Sequence, residues 1–131
     1  MVKNIIGVVA GLAVWMIVAT IAGVIMRVAW PAYASVASAM TFTLPMMIAR
    51  LSIGAVATIT MGIVTAVITR SGIARLMPGV LMLVLFIPQH VMLWEKFPVW
   101  YHLTFLLYLV PLTSLGANFA NWSRRNSSLS P

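Results

Sequence analysis

Four long runs of apolar residues, separated by short polar or basic segments, set the pattern of the chain, and they cover about residues 5–26, 46–68, 77–94 and 100–117. A helix of about 20 mostly apolar residues crosses the roughly 30 Å hydrocarbon core of a bilayer, and each run approaches that length. We therefore predict four transmembrane helices in one domain, residues 1–122. Residues 123–131 are polar, and we expect them to form a disordered cytoplasmic tail.

The connections between the runs are short, which predicts an up-down bundle of antiparallel neighbours. Pro88 and Pro111 fall inside the third and fourth runs, where each should free a backbone carbonyl and bend its helix. The longest connection, residues 30–44, is uncharged and rich in alanine, serine and aromatic residues. This composition fits a short helix lying along the membrane interface and equally an ordinary loop.

Basic residues at the ends of the runs divide unequally between the two sides of the predicted bundle. One side carries Lys3, Arg70, Arg75, Arg124 and Arg125, and the other carries Arg27, Arg50 and Lys96. The positive-inside rule then places both termini in the cytoplasm, so that the chain is N-in and C-in. Aromatic residues gather at the opposite, outer side as an interfacial belt formed by Trp30, Tyr33, Trp94, Phe97, Trp100 and Tyr101.

Composition identifies an all-α integral membrane protein. Of 131 residues, 63% are hydrophobic and 7% are charged, and the mean hydropathy is +1.08, whereas about a quarter of the residues of soluble domains are charged. We expect a multi-pass protein of a bacterial inner membrane. The net charge of +7 flanks apolar spans, so the expected partners are membrane lipids with anionic headgroups and not nucleic acid. The sequence has no cysteine, which excludes disulfides and thiolate metal sites.

Small residues recur every four positions on the first two spans and form a stripe on each helix. The first stripe contains Gly7, Gly11, Ala19 and Gly23, and the second contains Gly54, Thr58, Gly62 and Ala66. Such stripes allow close approach of another backbone, so they indicate packing of the first two spans on each other or against another subunit. A small-residue lining around a pore is the alternative.

The first stripe ends at Arg27 and the second begins at Arg50, both near the predicted outer boundary of the membrane. We expect the two side chains to face the same region. Together with Lys96 they share one carboxylate, Glu95, so at least two positive charges lack a counter-ion in this chain. Long basic side chains near a membrane boundary usually reach lipid phosphates. The alternative is a functional site for an anion, or a contact with an acidic partner subunit.

A polar cluster is expected at the outer end of the third and fourth spans, and it comprises Gln89, His90, Glu95 and His102. The two histidines should lie at similar depth in an antiparallel hairpin, where they could bind a metal, move protons or ligate haem. Two imidazoles without thiolate or carboxylate support make a poor metal site, so we predict no metal and no cofactor. Hydrogen bonding to the backbone or to headgroups is the simpler interpretation.

Several classes of function are disfavoured by what the spans lack. No Asp or Glu lies deep in a span, which argues against cation-coupled transport, and no group of catalytic side chains appears, so we predict that the protein is not an enzyme. The leading hypothesis is a small non-catalytic subunit that packs within a larger inner-membrane assembly. The alternatives are a homo-oligomeric channel or exporter for an anionic solute with an arginine-lined outer vestibule, and a bis-histidine haem or redox subunit.

Overall fold

The computed structural model describes residues 1–69 and 71–129, and within these ranges it contains five helices and no strand. The helices are α1 (Val2–Ala29), α2 (Pro31–Val36), α3 (Leu44–Ile68), α4 (Gly72–Met92) and α5 (Val99–Ser127). In this described part, α1, α3, α4 and α5 are long and apolar enough to cross a membrane. The prediction of an all-α protein with four transmembrane helices is therefore confirmed. The long connection contains a short helix, α2.

The ends of the helices differ from the predicted spans. Helix α4 begins at Gly72 instead of residue 77, so Pro78 lies inside the helix together with Pro88. Helix α5 continues to Ser127, so much of the segment predicted to be disordered is helical. Arg124 explains part of this extension, because its guanidinium donates a hydrogen bond to the Ala66 carbonyl and holds the last turns of α5 against α3. Basic side chains in a last turn also interact favourably with the helix dipole.

Helix α3 occupies the centre of the bundle and packs most extensively against α5 and α1, while α4 packs mainly on α5. Gly7 near the start of α1 faces Ile68 and Thr69 at the end of α3, and Arg124 near the end of α5 reaches Ala66. Both chain termini therefore lie at one end of the bundle, as an up-down arrangement requires. We call the opposite end, which carries residues 30–43 and 93–98, the connection end. Arg70 and the last two residues of the predicted tail lie outside the described residues.

Most of the predicted small-residue stripes pack inside the chain. A Cβ atom at Gly62 would overlap the Thr113 carbonyl of α5, and one at Gly116 would overlap the Ile59 carbonyl of α3, so these backbones lie in contact. Gly23 differs, because nothing lies within 4 Å of the position its Cβ would take. The remaining stripe residues also lie at helix contacts: Gly7 and Gly11 face α3, Gly54 faces α5, Thr58 accepts a hydrogen bond from Trp15, and Ala19 and Ala66 pack at the core.

Candidate anion-binding cleft

Two neighbouring cavities open around Arg50 at the connection end. The larger has a volume of about 440 Å³ and lies between α1, α4 and α5, and the smaller has about 190 Å³ and lies between α1, α3 and α5. We call the two together the Arg50 cleft, because both are lined by Arg50, Phe86, Tyr101 and Phe105. The larger cavity is also lined by Gln89, His90 and His102, so its polar groups other than Arg50 and Tyr101 lie at the ends of α4 and α5 that face the connection between them.

Two tyrosines hold the Arg50 side chain in the cleft. Its Nη1 donates a hydrogen bond to the Tyr33 hydroxyl at 2.6 Å, and its Nε donates one to the Tyr101 hydroxyl at 3.3 Å. The guanidinium carbon also lies 4.7 Å from the centre of the Phe42 ring, within the range of a cation–π interaction. Because three separate elements contribute these contacts, the guanidinium is fixed in position.

The connection between α1 and α3 supplies half of this environment. Met40 adopts the left-handed conformation with φ of 57°, which a non-glycine residue rarely does, and the chain then turns back towards the bundle. Four rings follow one another in contact: Tyr33 stacks on Phe42 at 5.1 Å, Phe42 on Phe97 at 5.9 Å, and Phe97 on Tyr101 at 4.6 Å between ring centres. The two hydroxyls that bind Arg50 therefore belong to the first and last rings of one continuous aromatic stack.

Arg50 keeps an unneutralised charge and free donors. A guanidinium has five N–H groups, and one on Nε plus one on Nη1 are used, which leaves three without a partner among the described residues. Glu95 is the sole acidic residue of the sequence, and it makes no hydrogen bond or ion pair within residues 1–69 and 71–129. A cation in so apolar a setting is costly unless an anion accompanies it, so this arrangement favours anion binding.

The two histidines are in direct contact. Nδ1 of His90 and Nδ1 of His102 lie 2.7 Å apart, so one of them must donate a proton to the other. His102 also stacks on Trp94 at 4.8 Å, and His90 stacks on Phe105 at 4.8 Å. His102 is fully buried, and its Nε2 has no partner in the described part of the chain. The pair is thus a neutral or singly protonated unit beside the cleft.

This contact does not fit a metal ion or haem iron between the rings. Metal–nitrogen bonds are about 2.0–2.1 Å long, so two imidazole nitrogens on opposite sides of an ion lie about 4 Å apart, whereas the observed separation is 2.7 Å. Within the described residues there is also no group of three or more histidine, cysteine or acidic side chains that could hold a metal. A bis-histidine centre would require the two rings to separate.

The predicted site residues separate into two groups. Arg50, Gln89, His90 and His102 line the cleft. Arg27 is exposed on α1, and Glu95 and Lys96 are exposed on the turn between α4 and α5. Arg27 lines neither of the two cavities that Arg50 lines. Lipid anchoring by Arg27 and Lys96 stays a prediction.

Sequence reasoning missed the aromatic partners of Arg50. Tyr33, Phe97 and Tyr101 were assigned to an interfacial belt, and Phe42 was given no role. The available signal was an aromatic-rich and uncharged connection next to a stripe that begins with an arginine. No periodicity shows that such a connection folds back over a helix end.

Comparisons of the chain with protein-family models, curated protein sequences and solved structures found no significant match. The chemistry of the cleft itself is therefore the basis for a functional assignment. Arg50 offers a positive charge and N–H donors to an anion, and the aromatic and methionine side chains offer apolar surface to the rest of a ligand.

Proposed function

We propose that this chain is a non-enzymatic, multi-pass membrane protein that binds an anionic solute in the Arg50 cleft and acts as a small exporter or channel. The observation that carries the proposal is a half-buried guanidinium with three free N–H groups and no carboxylate partner among the described residues. Hydrogen bonds between a guanidinium and a carboxylate or phosphate are among the strongest in proteins. Arg50 is therefore the residue expected to bind the solute.

An exporter fits better than an open pore. Beyond the cleft, α3 and α5 are in backbone contact at Gly62 and Thr113, and Met61 and Leu109 are fully buried between the helices. A solute bound at Arg50 would need a change in helix packing to move further. Pro88 in α4 interrupts the helical hydrogen bonding beside the cleft, and Pro111 in α5 does so within this packed region, so both are suitable points of bending.

A non-catalytic packing subunit stays a hypothesis, but most of the stripe glycines that would receive a partner helix already contact α3 or α5, and of the stripe glycines only Gly23 is open. Membrane lipids and further copies of the chain remain the expected partners. With both termini in the cytoplasm, as the distribution of basic residues favours, the cleft would open on the outer side of a bacterial inner membrane.

Binding and flux of three radiolabelled anions in proteoliposomes, namely phosphate, acetate and a long-chain alkyl phosphate, test this proposal. Losing a hydrogen-bonded charge contact costs about 1.5–3 kcal/mol, which corresponds to a loss of roughly tenfold or more in binding. We therefore expect Arg50→Gln to lower the binding and the flux of the transported anion by at least about tenfold. Arg50→Lys should retain part of the activity because the charge remains.

Arg27→Gln is the matched control, since it removes the same charge from an exposed position of α1 outside the cleft. It should leave flux unchanged. Each variant must elute as the unmodified protein does in size-exclusion chromatography. The proposed function would be contradicted if folded Arg50→Gln bound and transported all three anions as the unmodified protein does.

A further inference from the structure

Helices α1 and α4 are adjacent but share far fewer contacts than α1 shares with α3 or α3 with α5. We call the gap between them the α1–α4 seam. At the level of the Arg50 cleft it is bordered by Met16 on α1 and Leu85 on α4, both of which line the larger cavity. Their side chains are 60% and 64% exposed on the lateral surface of the bundle. The cleft therefore opens sideways, towards the lipid, as well as at the connection end.

The seam is also open nearer the termini. A groove of about 430 Å³ lies there between α1 and α4, and Val8, Val9, Ala74 and Met77 contribute to its largely apolar walls. Between the two openings the Trp15 ring contacts the Phe86 ring at 5.4 Å. The seam thus presents an apolar surface over much of the height of the bundle, with one cation near one end.

We propose that the anion bound by Arg50 is the head of a single-chain amphiphile, a carboxylate or phosphate on a hydrocarbon chain, which enters sideways from the bilayer and lays its chain in the α1–α4 seam. This inference rests on the proposed function and names its class of substrate. A free, hydrated anion would have to give up water against walls that are largely apolar and include Met16, Met40 and Met82. The chain of an amphiphile matches those walls, and methionine side chains adapt readily to such a partner.

The headgroup decides which lipid binds. A hydrocarbon chain gains little by leaving the bilayer for the seam, since lipid tails are as apolar as the protein side chains they would contact. Arg50 can distinguish an ionised head from a neutral one. The cavity of about 440 Å³ lies within the size range of sites for drug-sized ligands, roughly 300–1,000 Å³, which suits one chain better than a two-chain phospholipid.

Fluorescence quenching by a brominated chain tests the inference. The sequence has five tryptophans, and a variant that retains Trp15 alone, with phenylalanine at Trp30, Trp94, Trp100 and Trp122, reports on contact beside Phe86. We expect dibromostearic acid, added to the protein in nanodiscs at a pH where the acid is ionised, to quench Trp15 saturably. Its methyl ester should quench Trp15 only weakly and without saturation. Arg50→Gln should raise the midpoint for the acid by at least about tenfold.

A variant that retains Trp122 alone is the matched control, because this residue is exposed on α5 near the terminal end. It should be quenched equally by acid and ester, since it reports only partition into the bilayer. Equal quenching of Trp15 by acid and ester would overturn the inference.

A second measurement uses the unaltered chain in case the tryptophan variants do not fold. A stearic acid analogue with a photoreactive diazirine on its chain should form adducts on α1 and α4 around Met16 and Leu85, as mapped by mass spectrometry. Adducts spread evenly over the lipid-facing surface would contradict the inference.

Inorganic phosphate, acetate and an alkyl phosphate, added as competitors, separate the possible sources of the anion. Displacement of the acid by alkyl phosphate but not by the two free anions supports a lipid ligand. Arg50-dependent binding of free phosphate or acetate without saturable quenching by the acid would leave the proposed function standing and remove the amphiphile. No Arg50-dependent binding of any probe would contradict both.

Discussion

Helices α3 and α5 are in backbone contact, whereas α1 and α4 meet through large side chains and leave a gap. At Gly62 and Gly116 a carbonyl of the opposite helix occupies the space where a Cβ would stand. On the other side of the bundle, the contact between Trp15 and Phe86 joins two rings whose centres are 5.4 Å apart. Both interfaces are built from apolar residues, so hydrophobicity alone does not distinguish them.

The difference lies in residue size at the facing positions. Helices in lipid gain little from burying apolar surface against each other, so close van der Waals contact supplies much of their association. Small residues on α3 and α5 allow that contact, while large ones on α1 and α4 prevent it. We infer that α3 and α5 form the frame that stays packed while a ligand binds, and that the α1–α4 seam is where the ligand is accommodated with the least cost.

The largest expected effect comes from Gly62→Leu, which puts a large side chain where α3 and α5 are in backbone contact. Extra methylene groups in a packed interior cost about 1–3 kcal/mol, and here the obstacle is backbone that cannot rotate away. We expect the loss of stability to exceed that range. The variant should therefore fail to accumulate as a folded monodisperse species in detergent, as measured by size-exclusion chromatography and circular dichroism.

Gly23→Leu is the matched control, with the same substitution at a position whose surroundings are open. It should fold and should not lower the free energy of unfolding, since a glycine inside a helix costs roughly 0.5–1 kcal/mol relative to alanine. Equal behaviour of the two variants would mean that α3 and α5 are not held in backbone contact, and the contrast between frame and seam would fail.

Much of the fold follows from the sequence because membrane spans are recognised by length and apolarity, which need no tertiary information. The ends of the helices are less predictable from the sequence. Helix α4 begins at Gly72, before the apolar run that starts at residue 77, so the start of an apolar run does not fix the first turn of a helix. The helical end of α5 depends on the contact between Arg124 and Ala66, and no local pattern predicts a contact between residues 58 positions apart.

The site was only partly predictable for the same reason. The proximity of His90 and His102 follows from a short turn between antiparallel helices, and the structure places them in contact. Arg27, which we expected to face the same region as Arg50, does not line the cleft, and similar depth in the membrane does not fix the direction in which a side chain points. The binding of Arg50 by Tyr33 depends on the path of residues 37–43, which includes the unusual backbone at Met40.

An intermediate effect is expected from removing one hydroxyl that holds Arg50 in the cleft and, in a separate variant, one that joins α5 to α3 in the frame. Tyr33→Phe deletes the 2.6 Å hydrogen bond to the Arg50 guanidinium, and a hydrogen bond to a charged group contributes about 1.5–3 kcal/mol. Tyr108→Phe deletes the 2.9 Å hydrogen bond to the Leu51 carbonyl between α5 and α3, a neutral contact worth about 0.5–1.5 kcal/mol. Titration with sodium dodecyl sulfate, followed by circular dichroism, compares the two variants. A larger loss for Tyr108→Phe would show that the aromatic stack does not hold Arg50.

The smallest effect concerns the charge of the cleft, and the absence of cysteine from the sequence makes it measurable. Gln89→Cys places a thiol in the wall of the larger cavity, while Ala57→Cys places one in the fully buried interior of α3. Hydrophilic methanethiosulfonate reagents should modify the first and not the second. Because Arg50 makes the local potential positive, the thiol at position 89 should react faster with the anionic sulfonatoethyl reagent, relative to the cationic trimethylammonium reagent, than it would without Arg50.

Arg50→Gln in the Gln89→Cys background should lower this ratio of anionic to cationic reaction rates by about tenfold or less, since only one charge is removed. The ratio cancels differences in the reactivity of the thiol, because the same thiolate attacks both reagents. An inert thiol at position 89 would show that the cleft is closed to solutes. A reactive thiol whose ratio of reaction rates is unchanged by Arg50→Gln would show that another group, such as a lipid phosphate, already neutralises the guanidinium. The seam would then lack the cation that distinguishes it from the frame.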